Sequence, residues 1–341
     1  MNLYFGDLHN HTGYSDGRGR PEQAYQQMRE RGLDFAAVTD HAESLTIPFI
    51  TRRDKPYLAT QQALPPPFGT TEWDDTLHQS TLATRDGFLA LRGFEFSSNV
   101  QGHINVWFSR DYVDTLTLGE EDLTPFWRWL AEAEAEAGEP LAGLNHPGVQ
   151  PRVFNELRYE PDAQRVVTLE IFNRGDDYFR RYLQALDNGW RLGAIGVSDH
   201  HGTDWGGRHL SVAGVYAESL TTEGLREALL ARRVYATRER GLRLNVCLDG
   251  APMGERVVAP ANAELRLEIE VESPASASSL ARLEVYHSGG SLLHAQNVSG
   301  HRAHSAFAVR APASGRSWYV VRVLSPQRHL ATATAIWVEA V

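Results

Sequence analysis

The first strand-like segment of the chain is followed at once by residues that can bind metal. The stretch GDLHNHTGYSDG, residues 6–17, contains His9 and His11 with one residue between them, and Asp16 follows five residues later. Because side chains alternate along a strand, a His-x-His pair places both imidazoles on one face. Imidazole and carboxylate are ligands of zinc, iron and manganese. The pattern therefore predicts one part of a metal site.

Residues of the same kinds lie at the ends of other strand-like segments. They are Asp40, His41, Glu95, His103, His146, Asp199, His200 and His201. A single buried histidine usually needs only a hydrogen bond, but so many imidazoles and carboxylates gathered without a metal would leave costly buried polar groups. We expect the set as a whole to bind metal ions.

Alternating strands and helices are expected to bring these residues together. Up to about residue 240, strand-like segments alternate with helical ones such as 124–138 and 177–189. This alternation is typical of a parallel sheet closed into a barrel, in which the chemistry lies where strands end. Residues 44–82 fit neither pattern, and so long a connection is typical of a lid or substrate loop, with a mobile excursion as the alternative.

The pattern changes at about residue 241. From there to the end, short segments alternate apolar and polar residues, and turn signals separate them. This is typical of a small antiparallel β-sandwich. The sequence thus predicts an α/β barrel domain at 1–240 and a β-sandwich domain at 241–341, the second packing against the barrel or forming a homo-oligomer.

Composition narrows the choice of partner and compartment. The formal net charge is −10 and no block of basic residues stands out, so general nucleic-acid binding is not expected. A small anionic substrate is compatible with this charge, because a local arginine or metal can outweigh it. The sequence shows neither a leader-like N-terminus nor an apolar run of ~20 residues, so we expect a cytoplasmic protein without membrane contact. Cys247, the only cysteine, lies in an alternating apolar run and is expected to be buried.

Five motifs resemble those of one family. DLHNHTGYSDG, VTDH, GFEFS, NHPG and SDHHG occur in the order found in the polymerase and histidinol phosphatase (PHP) family, over roughly residues 3–240. The resemblance implies a distorted (β/α)7 barrel holding two to three divalent ions, Zn, Mn or Fe. GHINVW and the strand-rich C-terminal region are more similar to the CehA/McbA-type branch of metallohydrolases than to the DNA-polymerase branch.

The resemblance also implies how the ligands divide among the ions. His9, His11, Glu95 and Asp199 would hold the first ion. Glu95 would bridge to a second ion, completed by His103 and His146. Asp16, His41 and His201 would hold a third, although Asp16 stands where some members of the family carry histidine.

The roles of several further residues remain open between alternatives. Asp40 either orients His41 or His9 or caps the following turn. His200 supports the site, contacts substrate or only packs. Arg174 binds a substrate phosphate or pairs with Asp176 or Asp177 on the surface. Arg18 is a weaker substrate candidate, and Trp205 lines the pocket or anchors its loop.

The expected chemistry is hydrolysis. Closely spaced ions lower the pKa of a bound water towards ~7, and the resulting hydroxide needs no serine or cysteine nucleophile. The first hypothesis is a phosphoesterase acting on a small phosphorylated metabolite or nucleotide. The alternative is a carboxylic or carbamic ester hydrolase of the CehA/McbA type, with aromatic walls from Phe49, Tyr57, Phe68 and Trp73. A third is a metal-stabilised binding scaffold without catalysis.

Overall fold

The fold was analysed in a computed structural model that describes residues 1–46, 66–67, 69–135, 138–148, 152–207 and 211–341. Most of the expected loop at 44–82, with Phe49, Tyr57 and Phe68, lies outside the described residues. The end of this segment is not a loop, because residues 72–83 form a helix. The hydroxyl of its N-cap residue, Thr71, accepts a hydrogen bond from the backbone N–H of Asp74. Trp73 is buried against Phe94 in the core, so it is not available as a pocket wall.

The described helices are short, and all of them end before residue 231. They are α1 (Pro21–Glu30), α2 (Ala42–Thr46), α3 (Glu72–Ala83), α4 (Thr115–Leu118), α5 (Thr124–Glu132), α6 (Phe154–Leu157), α7 (Phe179–Asp187) and α8 (Thr222–Leu230). In α7, Phe179, Tyr182, Leu183 and Leu186 are buried. Their spacing of three and four residues places them on one helix face, which packs on the sheet. Every helix among the described residues is too short or too polar to cross a lipid bilayer.

The strands of the first part of the chain carry the site. They are β1 (Asn2–Asp7), β2 (Phe35–Val38), β3 (Leu89–Ser98), β4 (Gly102–Trp107), β5 (Leu141–Leu144), β6 (Val166–Asn173), β7 (Asp176–Asp177), β8 (Gly193–Val197), β9 (Val212–Ala217) and β10 (Val234–Thr237). Most of them are buried along their whole length, as expected for strands covered on both faces.

This sheet is mixed, so the expected parallel pairing is confirmed for two groups of strands and is wrong for the strands between them. β1, β2 and β3 pair in parallel, and β5, β6 and β8 do the same. Between these groups β4 runs antiparallel to both β3 and β5, and β9 runs antiparallel to β1. β8 packs against β9 and β10, so the two ends of the curved sheet approach each other.

The strands of the C-terminal region belong to two sheets, one of which is the mixed sheet described above. These strands are β11 (Arg243–Leu248), β12 (Ala251–Pro252), β13 (Arg256–Ala259), β14 (Glu264–Glu272), β15 (Arg282–His287), β16 (Ser291–Asn297), β17 (Arg302–Arg310), β18 (Arg316–Leu324), β19 (His329–Ala333) and β20 (Ile336–Ala340). Pairing is antiparallel except between β13 and β20. Cys247 lies on the outer face of β11 and is half-buried, not buried as expected.

The two parts of the chain share one sheet. β10 pairs with β19, which joins the strands before residue 240 to those after it. The predicted division at 240/241 falls in the connection between β10 and β11. One apolar cluster spans both parts, since it includes Leu183 and Trp190 as well as Trp318 and Trp337. The C-terminal region therefore packs directly against α7 and the strands that position the site.

Candidate metal centre

Strand ends deliver the predicted ligands to one edge of the sheet. His9 and His11 follow β1, His41 follows β2, and Asp199 follows β8. His103 is near the start of β4, but because β4 runs antiparallel to β3 its first residues lie at the same edge, opposite Ser97. Strand direction thus explains why this ligand precedes its strand's apolar residues whereas the others follow theirs.

The side chains of His9, His11, Glu95 and Asp199 lie close together. Nε2 of His9 and Nε2 of His11 are 3.1 Å apart. Both lie 3.3 Å from carboxylate oxygens of Glu95, and they lie 3.5 and 3.2 Å from Oδ1 of Asp199. A tetrahedral zinc site with bonds of about 2.1 Å has ligand atoms about 3.4 Å apart. The ligand atoms of His9, His11 and Asp199 therefore have the spacing that a tetrahedral site requires, and Glu95 lies against the two imidazoles with one oxygen each.

Glu95 also faces a second pair of imidazoles. Its Oε1 lies 3.3 Å from Nδ1 of His103 and 3.4 Å from Nε2 of His146. A carboxylate between two groups of histidines is suited to bridge two ions. His41 approaches from the other side, with Nδ1 3.0 Å from Oε2 of Glu95.

The remaining candidates gather around Asp16. Its Oδ1 lies 3.0 Å from Nε2 of His201, 3.5 Å from Nε2 of His41 and 3.8 Å from Nδ1 of His11. This oxygen is buried, and it accepts no hydrogen bond of good geometry from the described residues. A buried carboxylate oxygen that faces three imidazoles and lacks a donor fits a cation ligand. His11 thus stands between the first and third groups, which the assignment by resemblance does not anticipate.

The electrostatics of the cluster favour positive charge at its centre. Burial lowers the pKa of His9, but Asp199, Glu95 and Glu170 outweigh it and hold that pKa well above the ordinary value. Burial raises the pKa of Glu95, yet His9, His41 and His103 bring it well below its usual range. The carboxylates of Glu95 and Asp199 therefore remain ionised, which favours cations beside them. Transition metal ions, with their His and carboxylate preference, fit this donor set.

A further carboxylate supports the cluster, and the sequence interpretation missed it. Oε1 of Glu170 lies 2.7 Å from Nδ1 of His9, and its Oε2 accepts a hydrogen bond from the backbone N–H of His146 at 2.6 Å. A carboxylate on the far nitrogen fixes the tautomer of a metal-binding imidazole. Glu170 is fully buried within the apolar run VVTLEIFN. A lone acid in such a run was the signal that could have identified it.

Asp40 supports the first loop instead of His41 or His9, and it does not cap the turn that follows it. Its carboxylate accepts hydrogen bonds from the backbone N–H and hydroxyl of Thr12, at 2.8 and 2.6 Å, and from the hydroxyl of Ser15. Ser15 Oγ lies 3.2 Å from Nδ1 of His11. Asp40 therefore acts on the cluster through the 12–15 loop. His41 obtains its own partner from Ser97, whose Oγ lies 2.6 Å from Nδ1.

Three other expected site residues lie away from the cluster. The side chain of His200 points away from the cluster, and its Nε2 lies 2.7 Å from Oδ1 of Asp204. Trp205 is fully buried and donates a hydrogen bond to the carbonyl oxygen of His11 at 3.0 Å, so it anchors the loop and does not line the pocket. Arg18 is exposed and does not line the cavity. Local spacing could not show these directions, because they depend on loop packing.

The cluster opens into a polar cavity of about 300 Å³. Arg174 lines it, with its side chain 57% exposed and Nε 3.3 Å from Oδ2 of Asp199. Its Nη2 lies 2.8 Å from Nδ1 of His201. The expected surface pair with Asp176 or Asp177 is therefore not formed, and the guanidinium sits beside the ligands at the mouth. Asn173 and Tyr178 line the same cavity.

Comparison with known proteins agrees with this geometry. Residues 7–133 match the sequence profile of the PHP domain. The matched PHP region runs from the end of β1 to the end of α5, and it holds His9, His11, Asp16 and the following candidates up to His103. His146, Asp199 and His201 lie beyond the PHP match and join the cluster through the fold. No curated protein matches the sequence significantly.

Similar solved structures have low sequence identity to this chain, and one of them shares the fold over almost the whole chain. A two-domain protein from Bacteroides vulgatus containing a predicted PHP-like metal-dependent phosphoesterase is 19% identical, with a TM-score of 0.54, over 98% of this chain and 95% of that one. A putative metal-dependent phosphoesterase from Bifidobacterium adolescentis is 16% identical, with a TM-score of 0.34, over 66% of this chain and 95% of its own. The first similarity extends over both parts of the chain, before and after residue 240.

Proposed function

We propose that this protein is a metal-dependent phosphoesterase that acts on a small phosphorylated metabolite or nucleotide. The observation that carries the proposal is the set of His9, His11 and Asp199, whose ligand atoms lie 3.1–3.5 Å apart. Oxygens of Glu95 lie 3.3 Å from both imidazoles. The PHP match and the likeness to a protein described as a predicted PHP-like metal-dependent phosphoesterase support it.

The residues of the cluster would have the following roles. His9, His11, Glu95 and Asp199 would hold one ion, with His103 and His146 completing a second on Glu95, and Asp16, His41 and His201 holding a third. Such ions supply a water of lowered pKa and positive charge to the oxygens of the ester. Glu170 would keep Nδ1 of His9 as the donor, so that Nε2 faces the ion.

The cavity favours a phosphoester over an aryl ester. Its described lining consists of imidazoles, carboxylates, Asn173, Arg174 and Tyr178, without aliphatic residues. An aryl ester needs apolar walls to hold its ring, whereas a guanidinium fork matches phosphate oxygens. Arg174, exposed at the mouth, is placed to receive the phosphoryl oxygens that face away from the ions. A small anionic substrate is compatible with a protein of net charge −10 only because this positive charge is local.

The experiment combines metal analysis with a hydrolysis panel. Purified protein is assayed for Zn, Mn and Fe and then tested on phosphomonoesters, phosphodiesters and aryl carboxylic esters, before and after chelation and metal return. We expect bound metal and phosphoester hydrolysis that chelation removes and metal return restores. Asp199→Ala should lose both, while His304→Ala, an exposed histidine on β17, should lose neither.

The same panel identifies the alternatives. Hydrolysis of aryl or carbamic esters alone would favour the CehA/McbA-type activity over the phosphoesterase. A protein that retains metal but cleaves no ester of the panel would support the non-catalytic scaffold. Protein that binds no transition metal would refute the proposal.

A further inference from the structure

A second cavity, also of about 300 Å³, lies between the C-terminal end of α7 and the strands β18 and β20. No residue lines both this cavity and the metal cavity. Helix α7 separates them, because Tyr178 before its first residue lines the metal cavity and Asp187, its last residue, lines the second one. At 1.5 Å per residue the helix is about 14 Å long. The second cavity is therefore a separate place in the fold.

Three arginines line this cavity with few carboxylates to balance them. Arg256 and Arg316 share Glu339, whose Oε2 lies 2.7 Å from Nη1 of Arg256 and 3.7 Å from Nε of Arg316. Arg191 makes no ion pair with any carboxylate of the described residues. Three guanidinium groups thus line the cavity beside two carboxylates, those of Glu339 and Asp187, and the charge of Glu255 also acts on Arg191.

The other carboxylate of the cavity is already engaged. Oδ1 of Asp187 accepts hydrogen bonds from Nε1 of Trp318 at 3.1 Å and from the backbone N–H of Gly289 at 2.8 Å. Partial burial and the charges of Arg256 and Arg316 lower the pKa of Arg191, while Glu255 acts in the opposite direction. Since guanidinium groups keep their protons in proteins, an anion between them is the natural relief of this repulsion.

The remaining wall is apolar and aromatic. Trp190, Trp318 and Trp337 contribute to it, and all three are buried. The guanidinium carbon of Arg191 lies 4.9 Å from the centre of the Trp337 ring, a cation–π contact that holds the planar group in place. Pockets with apolar walls and a few convergent charged groups, placed between parts of a protein, are typical ligand sites.

We propose that this cavity binds a small organic anion, a phosphate or carboxylate carried on a compact apolar or aromatic body. The arginines match the anionic group, because a guanidinium fork donates two parallel hydrogen bonds to phosphate or carboxylate oxygens. The tryptophan wall matches the body of the ligand. The site is distinct from the metal centre and does not depend on the activity proposed for it.

The test uses phosphonates, because their carbon–phosphorus bond is not a substrate for ester hydrolysis. Metal-replete protein is titrated by calorimetry with phenylphosphonate, with methylphosphonate as the anion without a ring, and with benzyl alcohol as the ring without an anion. We expect phenylphosphonate to bind most tightly and benzyl alcohol not to bind. Asp199→Ala should leave this binding event unchanged, whereas any phosphonate held by the metal centre should disappear.

Arginine variants locate the event. Arg191→Ala and Arg316→Ala should each weaken phenylphosphonate binding about tenfold or more, since each removes a charged hydrogen-bond donor. Both side chains reach the surface, so folding should be preserved. The control is Arg302→Ala, which removes an arginine 79% exposed on β17. Equal affinity in all three variants, or binding that Asp199→Ala abolishes entirely, would overturn the proposal.

Discussion

Nδ1 of His329 lies 2.7 Å from Oδ2 of Asp177, and this contact joins β19 of the C-terminal region to the loop that lines the metal cavity. His329 is buried, and its Nε2 lies 2.8 Å from the hydroxyl of Thr332. Asp177 stands between Arg174 and Tyr178, both of which line the cavity. The C-terminal region therefore holds the segment that contributes Arg174 and Tyr178 to the metal cavity.

Hydrogen bonds from Arg238 hold the same loop in addition to the contact between His329 and Asp177. Nη2 of Arg238 donates hydrogen bonds to the carbonyl oxygens of Asp176 at 2.6 Å and of Gly175 at 3.2 Å. Its guanidinium carbon lies 4.3 Å from the centre of the Phe172 ring. Arg238 follows β10, so the chain fixes the cavity loop immediately before it enters the C-terminal sheets.

Removal of the His329 contact should affect substrate binding more than metal binding. We expect Asp177→Ala to raise KM for a phosphoester more than it lowers kcat, because Arg174 and Tyr178 lose their support while the metal ligands keep theirs. Steady-state kinetics together with metal analysis test this. His304→Ala is the control, and an unchanged KM in Asp177→Ala, or loss of metal, would contradict the interpretation.

The same variant should show a defined pH dependence of stability. Burial raises the pKa of Asp177, but His329 outweighs it, so the pKa lies below its ordinary value of 3.8. The carboxylate therefore stabilises the fold above pH 3.8, and this contribution is lost as pH falls through the lower folded-state pKa. Chemical unfolding should show Asp177→Ala less stable by about 1–3 kcal/mol near neutrality. A difference that grows as the pH falls below 3.8 would have the wrong sign.

Neighbouring histidines should respond oppositely to substitution. His201→Ala is expected to lose part of the bound metal and most activity, because its Nε2 lies 3.0 Å from the unpaired oxygen of Asp16. His200→Ala should keep its metal, since His200 pairs with Asp204 outside the cluster. Metal content per chain and kcat for the two variants measure this directly. Equal loss in both would mean that the loop, and not ligation, explains the effect.

Glu170 should set metal affinity without being a ligand. Glu170→Gln keeps the shape but weakens the bond to Nδ1 of His9, and partners of this kind change metal affinity by about 10- to 100-fold. We expect activity to fall at limiting metal and to recover when metal is added in excess. Titration of the metal-free variant with Zn or Mn provides the constant. Activity that no metal concentration restores would point to a structural defect.

Arg174 should distinguish phosphoesters from neutral esters. Arg174→Ala is expected to lower kcat/KM for a phosphoester by about 10- to 100-fold, the effect of losing a charged hydrogen bond. An aryl ester, where it is cleaved, should change little. Because Nε of Arg174 also lies 3.3 Å from Asp199, metal content must be measured in parallel. An equal effect on both ester classes at full metal content would remove the role in phosphate binding.

Local patterns were sufficient for much of the architecture. The apolar runs that predict β1, β6 and β8 are strands, and the helical segment at 177–189 contains α7. The long segment at 44–82 was misjudged at its end, where polar residues with a threonine cap form α3. The antiparallel direction of β4 was also missed. Side chains alternate with a two-residue period in parallel and in antiparallel strands, so the pattern does not reveal the direction.

The sequence by itself determined the kinds of ligand and the points along the chain where they leave the strands. These features are local, since residue type and a two-residue spacing decide them. Only the tertiary structure decided which distant groups meet, such as Glu170 with His9 across 161 positions and His329 with Asp177 across 152. It also turned His200 and Trp205 away from the cavity and left Arg174 in it. Such choices follow from packing and loop hydrogen bonds between segments, which no short stretch of sequence contains.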